Sequence, residues 1–185
     1  MKTEKKLIIA NPKLCTGCKS CEIACAVEHS KSKDLYYASL ETPSPIQRIR
    51  VLLKDSYNMP VRCQHCPDPP CLAVCPTKAI FQTPEGFVLI NDSLCAGCGL
   101  CVDACPVGAI QMHPELKIAV KCDFCVDRVR AGLLPACVEA CPTGALQFGT
   151  LDELRSKARA STRTKFEEII SPNTLREMYK TVGWV

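Results

Sequence analysis

Short runs of alternating apolar and polar residues recur along this chain of 185 residues, and they predict small β-strands rather than long ones. Two pairs of these runs flank the turn sequences TPEG and HPEL, so each pair predicts a hairpin. The predicted strands are residues 6–10, 46–53, 79–82, 87–90, 109–112 and 117–120. The pattern therefore predicts several small antiparallel sheets instead of one large sheet.

Helical periodicity is clearest at the end of the chain. Residues 151–170 place apolar side chains at helical spacing among charged ones, which predicts an amphipathic helix. Ser171 and Pro172 suit the cap and the first position of a second short helix. Trp184 follows near the terminus, and we expect it either to contact a partner or to pack on its own domain.

Sixteen cysteines fall into four groups of four along the same chain. Every group opens with C-x-x-C and closes with C-x-x-x-C, and the gap between these halves is two residues in groups one and three, four in group two and eleven in group four. The three residues inside C-x-x-x-C suit one helical turn, which proline ends after groups two, three and four. In chain order the groups are Cys15, Cys18, Cys21 and Cys25; Cys63, Cys66, Cys71 and Cys75; Cys95, Cys98, Cys101 and Cys105; and Cys122, Cys125, Cys137 and Cys141.

The spacing within the groups is typical of [4Fe–4S] clusters, each of which takes four cysteine thiolates. Groups one and three follow the ferredoxin run C-x-x-C-x-x-C-x-x-x-C, although Ala26 replaces the usual proline after Cys25. Structural zinc is disfavoured because it expects C-x-x-C pairs about 12–20 residues apart. A secreted disulfide scaffold is disfavoured because the N-terminus lacks the apolar run of a signal peptide. The sequence therefore predicts four iron–sulfur clusters.

Composition and charge agree with a chain that folds around inorganic clusters. Cysteines supply part of the 47% apolar fraction and aromatic residues make up only 5%, so we expect the apo-protein to be poorly folded. The formal charge is +4, but four clusters of about −2 each bring the loaded chain to about −4. We therefore expect no nucleic-acid partner, and no apolar stretch is long enough to predict a direct membrane span.

The ferredoxin rule predicts which cysteines share a cluster, because the fourth cysteine of a motif ligates the cluster of its partner motif. A predicted hairpin joins groups two and three, so these two pair, and groups one and four pair across the chain. The predicted ligand sets are Cys15, Cys18, Cys21 and Cys141 for cluster 1; Cys122, Cys125, Cys137 and Cys25 for cluster 2; Cys63, Cys66, Cys71 and Cys105 for cluster 3; and Cys95, Cys98, Cys101 and Cys75 for cluster 4. All sixteen cysteines are thus predicted iron ligands, and no catalytic residue is predicted.

The order of the four motifs, with the eleven-residue gap of group four, resembles the iron–sulfur subunits of the DMSO reductase superfamily. It is also similar to the short ferredoxin subunits of carbon monoxide dehydrogenase, formate dehydrogenase and hydrogenase complexes. The resemblance covers residues 1 to about 148. It implies the same ligand pairing, and a chain of four clusters between a catalytic subunit and another redox partner.

These patterns predict an α+β fold with two ferredoxin-like modules, each binding two [4Fe–4S] clusters, and a helical C-terminal extension. We expect a polyferredoxin domain over residues 1–150, in which module A takes residues 1–30 and 115–150 and module B takes residues 60–114. Residues 31–59 form an insert in this scheme, and residues 151–185 form the helical tail.

The resemblance implies a non-catalytic electron-transfer subunit of an oxidoreductase complex in anaerobic metabolism. Its expected partner is a catalytic redox subunit: a molybdenum or tungsten oxidoreductase, formate dehydrogenase, hydrogenase or carbon monoxide dehydrogenase. A second electron-transfer subunit and further copies of the chain are additional candidate partners. We expect a cytoplasmic protein, exported only if a partner carries it. The alternatives are a freely diffusing polyferredoxin shuttle and, with less support, an iron–sulfur sensor.

Several basic and imidazole side chains lie near the cysteine groups. Lys19, Lys78, Lys121 and Arg128 are ordinary surface charges in one interpretation, and in the other they raise cluster potentials or dock a partner. His65 lies between two cysteines of group two, and we expect it to face solvent from its loop.

Overall fold

The computed structural model describes residues 5–53 and 58–169, with side chains described as far as residue 160. Contacts divide the chain into two units, residues 1–148 and residues 149–185. Short 3₁₀ helices at Pro12–Leu14 and Asp92–Leu94 precede groups one and three. In chain order the other elements are β1 (Lys6–Ala10), α1 (Ser20–Glu28), α2 (Leu35–Ala38), β2 (Ile49–Leu53), β3 (Asn58–Arg62), α3 (Pro70–Ala73), β4 (Ile80–Gln82), β5 (Val88–Ile90), α4 (Leu100–Asp103), β6 (Ile110–Met112), β7 (Ala119–Lys121), α5 (Val126–Arg130), α6 (Ala136–Glu139), β8 (Leu146–Thr150) and α7 (Leu151–Ile169).

The C-x-x-x-C half of each cysteine group lies on a helical turn, as its spacing predicts. Helices α3, α4 and α6 are each four residues long, because Pro76, Pro106 and Pro142 follow the last cysteine and cannot continue the helix. Helix α1 runs for nine residues, since Ala26 stands where the other groups have proline. As a result, Cys25 is buried within a longer helix.

The eight strands of the described residues pair in four two-stranded sheets. The pairs β2–β3, β4–β5 and β6–β7 are antiparallel; Phe81 lies opposite Leu89 in the second and Gln111 opposite Val120 in the third. The fourth sheet pairs β1 with β8, which brings the two ends of the first unit together. The predicted hairpins and the predicted first strand are therefore confirmed, with bounds that shift by one or two residues.

Strand β3 is an element that the sequence does not predict. Pro60 lies in its centre, opposite Val51 of β2, and proline argues against a strand because it cannot donate a hydrogen bond to a ladder. A two-stranded sheet leaves each strand with one open edge, so the missing donor is tolerated here. The strand ends at Arg62, immediately before group two.

Two apolar clusters form the interior of the first unit, and cysteines are prominent in both. The first consists of Ile8, Cys21, Cys25, Ile49, Val51, Phe87, Phe124, Val126, Cys137 and Leu146, with Cys15 and Cys141 among the residues packed against it. The second consists of Cys71, Ile80, Val88, Cys101, Ile110 and Ala119, with Cys75, Cys95 and Cys105 among those packed against it. Cysteine side chains thus occupy much of the space that aliphatic residues fill in an ordinary core.

The second unit contains the predicted amphipathic helix as α7. Glu153 accepts a hydrogen bond from the backbone N–H of Thr150 at 2.8 Å, and the Thr150 hydroxyl accepts one from the backbone N–H of Glu153 at 3.3 Å. This reciprocal capping starts the helix. The predicted short helix at Ser171 and the predicted contacts of Trp184 lie outside the described residues. Over residues 5–53 and 58–169, no helix is both long and apolar enough to cross a membrane.

Candidate iron–sulfur centres

The C-x-x-C half of every group contains the same left-handed turn. The residue before the second cysteine has a positive φ in each case: 74° at Gly17, 48° at His65, 69° at Gly97 and 68° at Phe124. Glycine adopts this conformation readily, whereas His65 and Phe124 adopt it at a cost of roughly 1–2 kcal/mol each. The burial of both aromatic side chains offsets that cost.

Backbone N–H groups point at cysteine sulfurs throughout the first unit. Hydrogen bonds of this kind stabilise thiolate sulfur and tune the potential of a bound cluster. The donors and acceptors are His65 to Cys63 at 3.4 Å, Phe124 to Cys122 at 3.4 Å, Arg48 to Cys25 at 3.3 Å, Ala109 to Cys105 at 3.3 Å and Ala119 to Cys95 at 3.4 Å.

The first three cysteines of group one surround a small cavity together with the last cysteine of group four. Cys15, Cys18, Cys21 and Cys141 all line this cavity. Burial raises the pKa of the Cys21 thiol to about 11, and negative charge on Glu22 and then on Cys141 adds to the rise. Cys141 therefore lies close enough to the group-one loop to act on it electrostatically.

Group four gathers around Cys25, which belongs to group one by sequence. Cys25, Cys122, Cys125 and Cys137 are all buried. Burial raises the pKa of Cys25 and of Cys137, and negative charge on Cys122 raises both further. Helix α1 carries Cys21 and Cys25 one turn apart, so the group-one and group-four loops meet along this helix.

Groups two and three share the second apolar cluster. Cys71 and Cys101 are buried in it, and Cys75, Cys95 and Cys105 pack against it. Burial raises the pKa of Cys71, and negative charge on Cys63 and Cys105 contributes to the rise. Burial also raises the pKa of Cys101 to about 11, with negative charge on Cys95 and Cys71 contributing.

The donor set fits four [4Fe–4S] clusters in kind and number. All sixteen cysteine thiols are unpaired, which is four for each of four cubes. Buried thiols with a raised pKa, such as Cys25 and Cys137, carry thiolate charge only beside a cation. Iron supplies that cation, so cluster binding is coupled to folding. The chain therefore holds four [4Fe–4S] clusters, whose chemistry is the reversible uptake of single electrons.

Solvent exposure divides the cysteine groups into two outer groups, one and three, and two inner groups, two and four. Cys18 of group one and Cys98 of group three are exposed to solvent. The first three cysteines of groups two and four are more enclosed: Cys63, Cys71, Cys122, Cys125 and Cys137 are buried, and Cys66 is half-buried. The loops of groups one and three therefore reach the surface, while those of groups two and four face the interior.

His65 is buried, so the expectation that it faces solvent is wrong. Its Nδ1 accepts a hydrogen bond from the backbone N–H of Val88 at 3.0 Å, and its ring contacts the rings of Phe87 and Phe124 edge-on. Burial lowers the pKa of His65 to about 3, and the charge of Lys121 contributes. The imidazole is therefore neutral, and its proton is on Nε2.

Lys121 is buried as well, so the interpretation of surface charge is wrong for this residue, although Lys19 and Lys78 are exposed. Arg62 is a second buried cation, which sequence reasoning missed. The sequence did offer one signal for this pair: Arg62 and Lys121 each directly precede the first cysteine of a group. Arg128, half-buried, forms ion pairs with Glu28 and Glu139.

Asp123, inside the C-x-x-C of group four, is held by two basic side chains. His29 Nε2 lies 3.0 Å from Asp123 Oδ2, and Arg48 Nη1 donates to the same oxygen at 2.8 Å. Burial alone would raise the pKa of Asp123, but the hydrogen bond from His29 and the charge of Arg48 hold it well below its usual range. His29, Asp123 and Cys125 place ligand atoms within 4.8 Å of one another. Because Arg48 already pairs with the carboxylate, the arrangement fits an ion-pair network better than a separate metal site.

Comparison with known proteins identifies the same chemistry. Residues 54–151 match a family model described as a 4Fe-4S dicluster domain, and residues 12–28 match one described as a 4Fe-4S binding domain. The first match contains groups two, three and four, and the second contains group one. Together they include all sixteen cysteines.

Three curated proteins illustrate the relatives of this chain. The thiosulfate reductase electron transfer subunit PhsB of Salmonella typhi is 39% identical, over 82% of this chain and 79% of the relative. One chain of the anaerobic dimethyl sulfoxide reductase of Haemophilus influenzae is 40% identical, over 77% of this chain and 73% of the relative. One subunit of the tetrathionate reductase of Salmonella typhimurium is 38% identical over 66% of this chain. The match covers 48% of that relative, so this chain spans about half of its length.

Proposed function

Because this chain belongs to the family of 4Fe-4S electron-transfer subunits of the DMSO reductase type, we propose that it connects a catalytic redox subunit to a second redox partner through four clusters. The observation that carries the proposal is the grouping of sixteen unpaired cysteines in two apolar clusters and four similar turns. An electron carrier needs this arrangement, since enclosed thiolate ligands hold a cluster at fixed potential without opening an iron to substrate.

The proposal assigns the four ligand sets as the ferredoxin rule predicts, with groups one and four forming one module and groups two and three the other. Support for the first module comes from the cavity that Cys141 shares with the group-one loop and from the packing of Cys25 with group four. Support for the second comes from the electrostatic effect of Cys105 on Cys71. The boundaries of residues 1–150 for the cluster domain and 151–185 for the tail stay a prediction.

The electron path in this proposal runs from group one through groups four and two to group three, or in reverse. The exposure of Cys18 and Cys98 supports this order, because the two ends of such a path need to reach the surface where partners dock. Helix α1 links the first two sites, because it carries Cys21 and Cys25. The aromatic rings of His65 and Phe124 bring the group-two and group-four loops into contact at the middle of the path.

The proposed catalytic partner is a separate subunit of the molybdenum or tungsten type, and this chain itself has no catalytic role. The names of the relatives support this, since each is one component of a reductase and one of them is called an electron transfer subunit. A cytoplasmic location, or export with a partner, stays a prediction. A second redox subunit or further copies of the chain complete the proposed set of partners.

Anaerobic purification of the tagged protein from its own cells tests the proposal. We expect about 16 Fe per chain, four one-electron signals in an EPR-monitored redox titration, and a co-purifying catalytic subunit in stoichiometric amount. Far less iron would contradict the assignment of four clusters. A chain that elutes alone with its iron intact would instead favour the freely diffusing shuttle.

A further inference from the structure

Arg62 and Lys121 occupy equivalent positions at the start of the two inner loops, which are the cysteine loops of groups two and four. Each directly precedes the first cysteine of its group and donates a hydrogen bond to the carbonyl oxygen of that cysteine, Arg62 to Cys63 at 2.6 Å and Lys121 to Cys122 at 3.1 Å. Each also donates to a carbonyl of a neighbouring strand: Arg62 to Ile8 in β1, and Lys121 to Val88 in β5. Both side chains are therefore fixed by two carbonyl acceptors.

Both cations are buried, yet neither has an acidic partner among the described residues. Arg62 is 6% exposed and Lys121 is 3% exposed, and no ion pair within the described part of the chain includes either of them. A buried charge is costly unless an opposite charge compensates it, and carbonyl dipoles compensate it only in part. No carboxylate of the described residues supplies the missing negative charge, whereas the iron-bound thiolates of the neighbouring clusters carry a negative charge that can.

Hydrogen bonds and packing place each cation beside both inner loops. Lys121, on the group-four side, donates to the carbonyl of Val88, whose N–H donates to His65 of the group-two loop at 3.0 Å. Arg62, on the group-two side, donates to the carbonyl of Ile8, which belongs to the apolar cluster that contains Phe124 and Cys137 of group four. The two loops themselves touch through the rings of His65 and Phe124.

We propose that Arg62 and Lys121 form a pair of positive charges between the group-two and group-four cluster sites, and that this pair raises the reduction potentials of the two inner clusters. The inference rests on the proposed ligand assignment. A cluster with four thiolates carries about −2 when oxidised, and one more electron makes it more negative. Burial disfavours that added charge, and a nearby fixed cation offsets the effect.

The consequence concerns the middle step of the electron path. One electron leaves the reduced inner cluster, which is thereby oxidised, and enters the other inner cluster, which is thereby reduced; no proton is transferred. Because each cation hydrogen-bonds to one inner loop and to a strand that packs beside the other, both inner potentials rise together. The pair therefore prevents two buried sites from becoming a barrier between the two exposed ends.

Redox titration of the purified holo-protein, followed by EPR, tests this inference with charge-removing variants. Arg62→Gln and Lys121→Gln keep hydrogen-bond donors for the carbonyls but lack the charge. We expect each to lower the inner potentials by the equivalent of about a tenfold change in the oxidised-to-reduced ratio, which is about 59 mV for a one-electron couple, and to leave the outer potentials unchanged. Cys66→Ser and Cys125→Ser identify which signals belong to the inner clusters.

Two further variants separate charge from shape. Lys121→Arg keeps the charge, and we expect wild-type potentials. Lys78→Gln removes an exposed charge near group two, and we expect no shift because solvent screens it. Unchanged inner potentials in both Arg62→Gln and Lys121→Gln would overturn the inference.

Iron loss gives a second criterion. If the glutamine variants lose iron while Lys121→Arg keeps about 16 Fe and its potentials, the charge is required and the inference stands. If Lys121→Arg also loses its clusters, the site depends on shape and the inference fails. Fewer than four clusters in the wild type would contradict the proposed function instead, so the two failures are distinguishable.

Discussion

The rings of His65 and Phe124 meet edge to face, with centroids 5.3 Å apart and planes at 85°. The two residues are equivalent: each precedes the second cysteine of its C-x-x-C and has a positive φ. Each also donates its backbone N–H to the sulfur of the first cysteine, Cys63 or Cys122. The inner loops of groups two and four therefore share a backbone conformation and contact each other through the same position.

Replacing the ring nitrogen at this contact should cost stability. In His65→Phe the N–H of Val88 loses its acceptor in a buried site, and we expect the free energy of unfolding to fall by about 1–3 kcal/mol. Anaerobic thermal unfolding of the holo-protein measures this change, and the Val88 amide should exchange faster with solvent. Phe81→Leu, at a side chain that is 43% exposed, is the control and should change stability by less than about 0.5 kcal/mol. Unchanged stability and unchanged Val88 protection would show that the hydrogen bond does not matter.

Gly97 and Gly99 offer a matched pair of substitutions in group three. Both have positive φ, 69° and 79°, but a Cβ on Gly97 would lie 2.3 Å from the carbonyl oxygen of Lys117, whereas a Cβ on Gly99 meets nothing within 4 Å. We expect Gly97→Ala to displace the loop and to leave about 12 Fe per chain. Gly99→Ala should keep all four clusters and cost about 1 kcal/mol for the left-handed backbone. Equal iron content in the two variants would contradict this steric argument.

The ligand pairing has a spectroscopic test. We expect Cys75→Ser to damage the cluster of group three and to spare the cluster of its own group, because its thiolate is assigned to the partner motif. Variants with serine at Cys98 and Cys66 supply the reference spectra for loss of the group-three and group-two clusters. If the EPR difference spectrum of Cys75→Ser matches that of Cys66→Ser, the pairing is wrong.

Arg128 should contribute to the stability of the long group-four loop. Its guanidinium pairs with Glu28 of α1 and Glu139 of α6, so it links two helices that carry cluster ligands. We expect Arg128→Met to lower the free energy of unfolding by about 1–2 kcal/mol, since the half-buried carboxylate of Glu28 loses a partner, while the exposed carboxylate of Glu139 contributes little. Arg130→Met removes the exposed pair with Glu85 and should change stability by less than about 0.5 kcal/mol. Equal effects of the two substitutions would exclude this special role of Arg128.

The ligand motifs and most of the small elements could be predicted from the sequence because their signals are local. The spacing of four cysteines, the proline after Cys75 and the turn sequence TPEG each act within a few residues. The absence of proline after Cys25 likewise accounts for the longer helix α1.

Burial near the clusters could not be predicted in the same way, because it depends on distant partners. Lys78 and Lys121 both lie close to cysteines, yet only Lys121 is enclosed, by a hydrogen bond to Val88 some thirty residues away in the sequence. His65 is likewise buried by Phe87 and Phe124, which come from other parts of the chain. These tertiary contacts determine the electrostatic environment of the inner sites.

The pairing of β1 with β8 affects the order in which the nascent chain folds. Synthesis proceeds from the N-terminus, so groups two and three and the hairpins that follow them emerge from the ribosome before β8 exists. Strand β1 has no pairing partner during this time, because β8 follows Cys141 in the sequence and is synthesised after it. Strand β1 is therefore made well before its partner and pairs late, so the cysteines of group one, which follow β1, need protection from oxidants until β8 has been made.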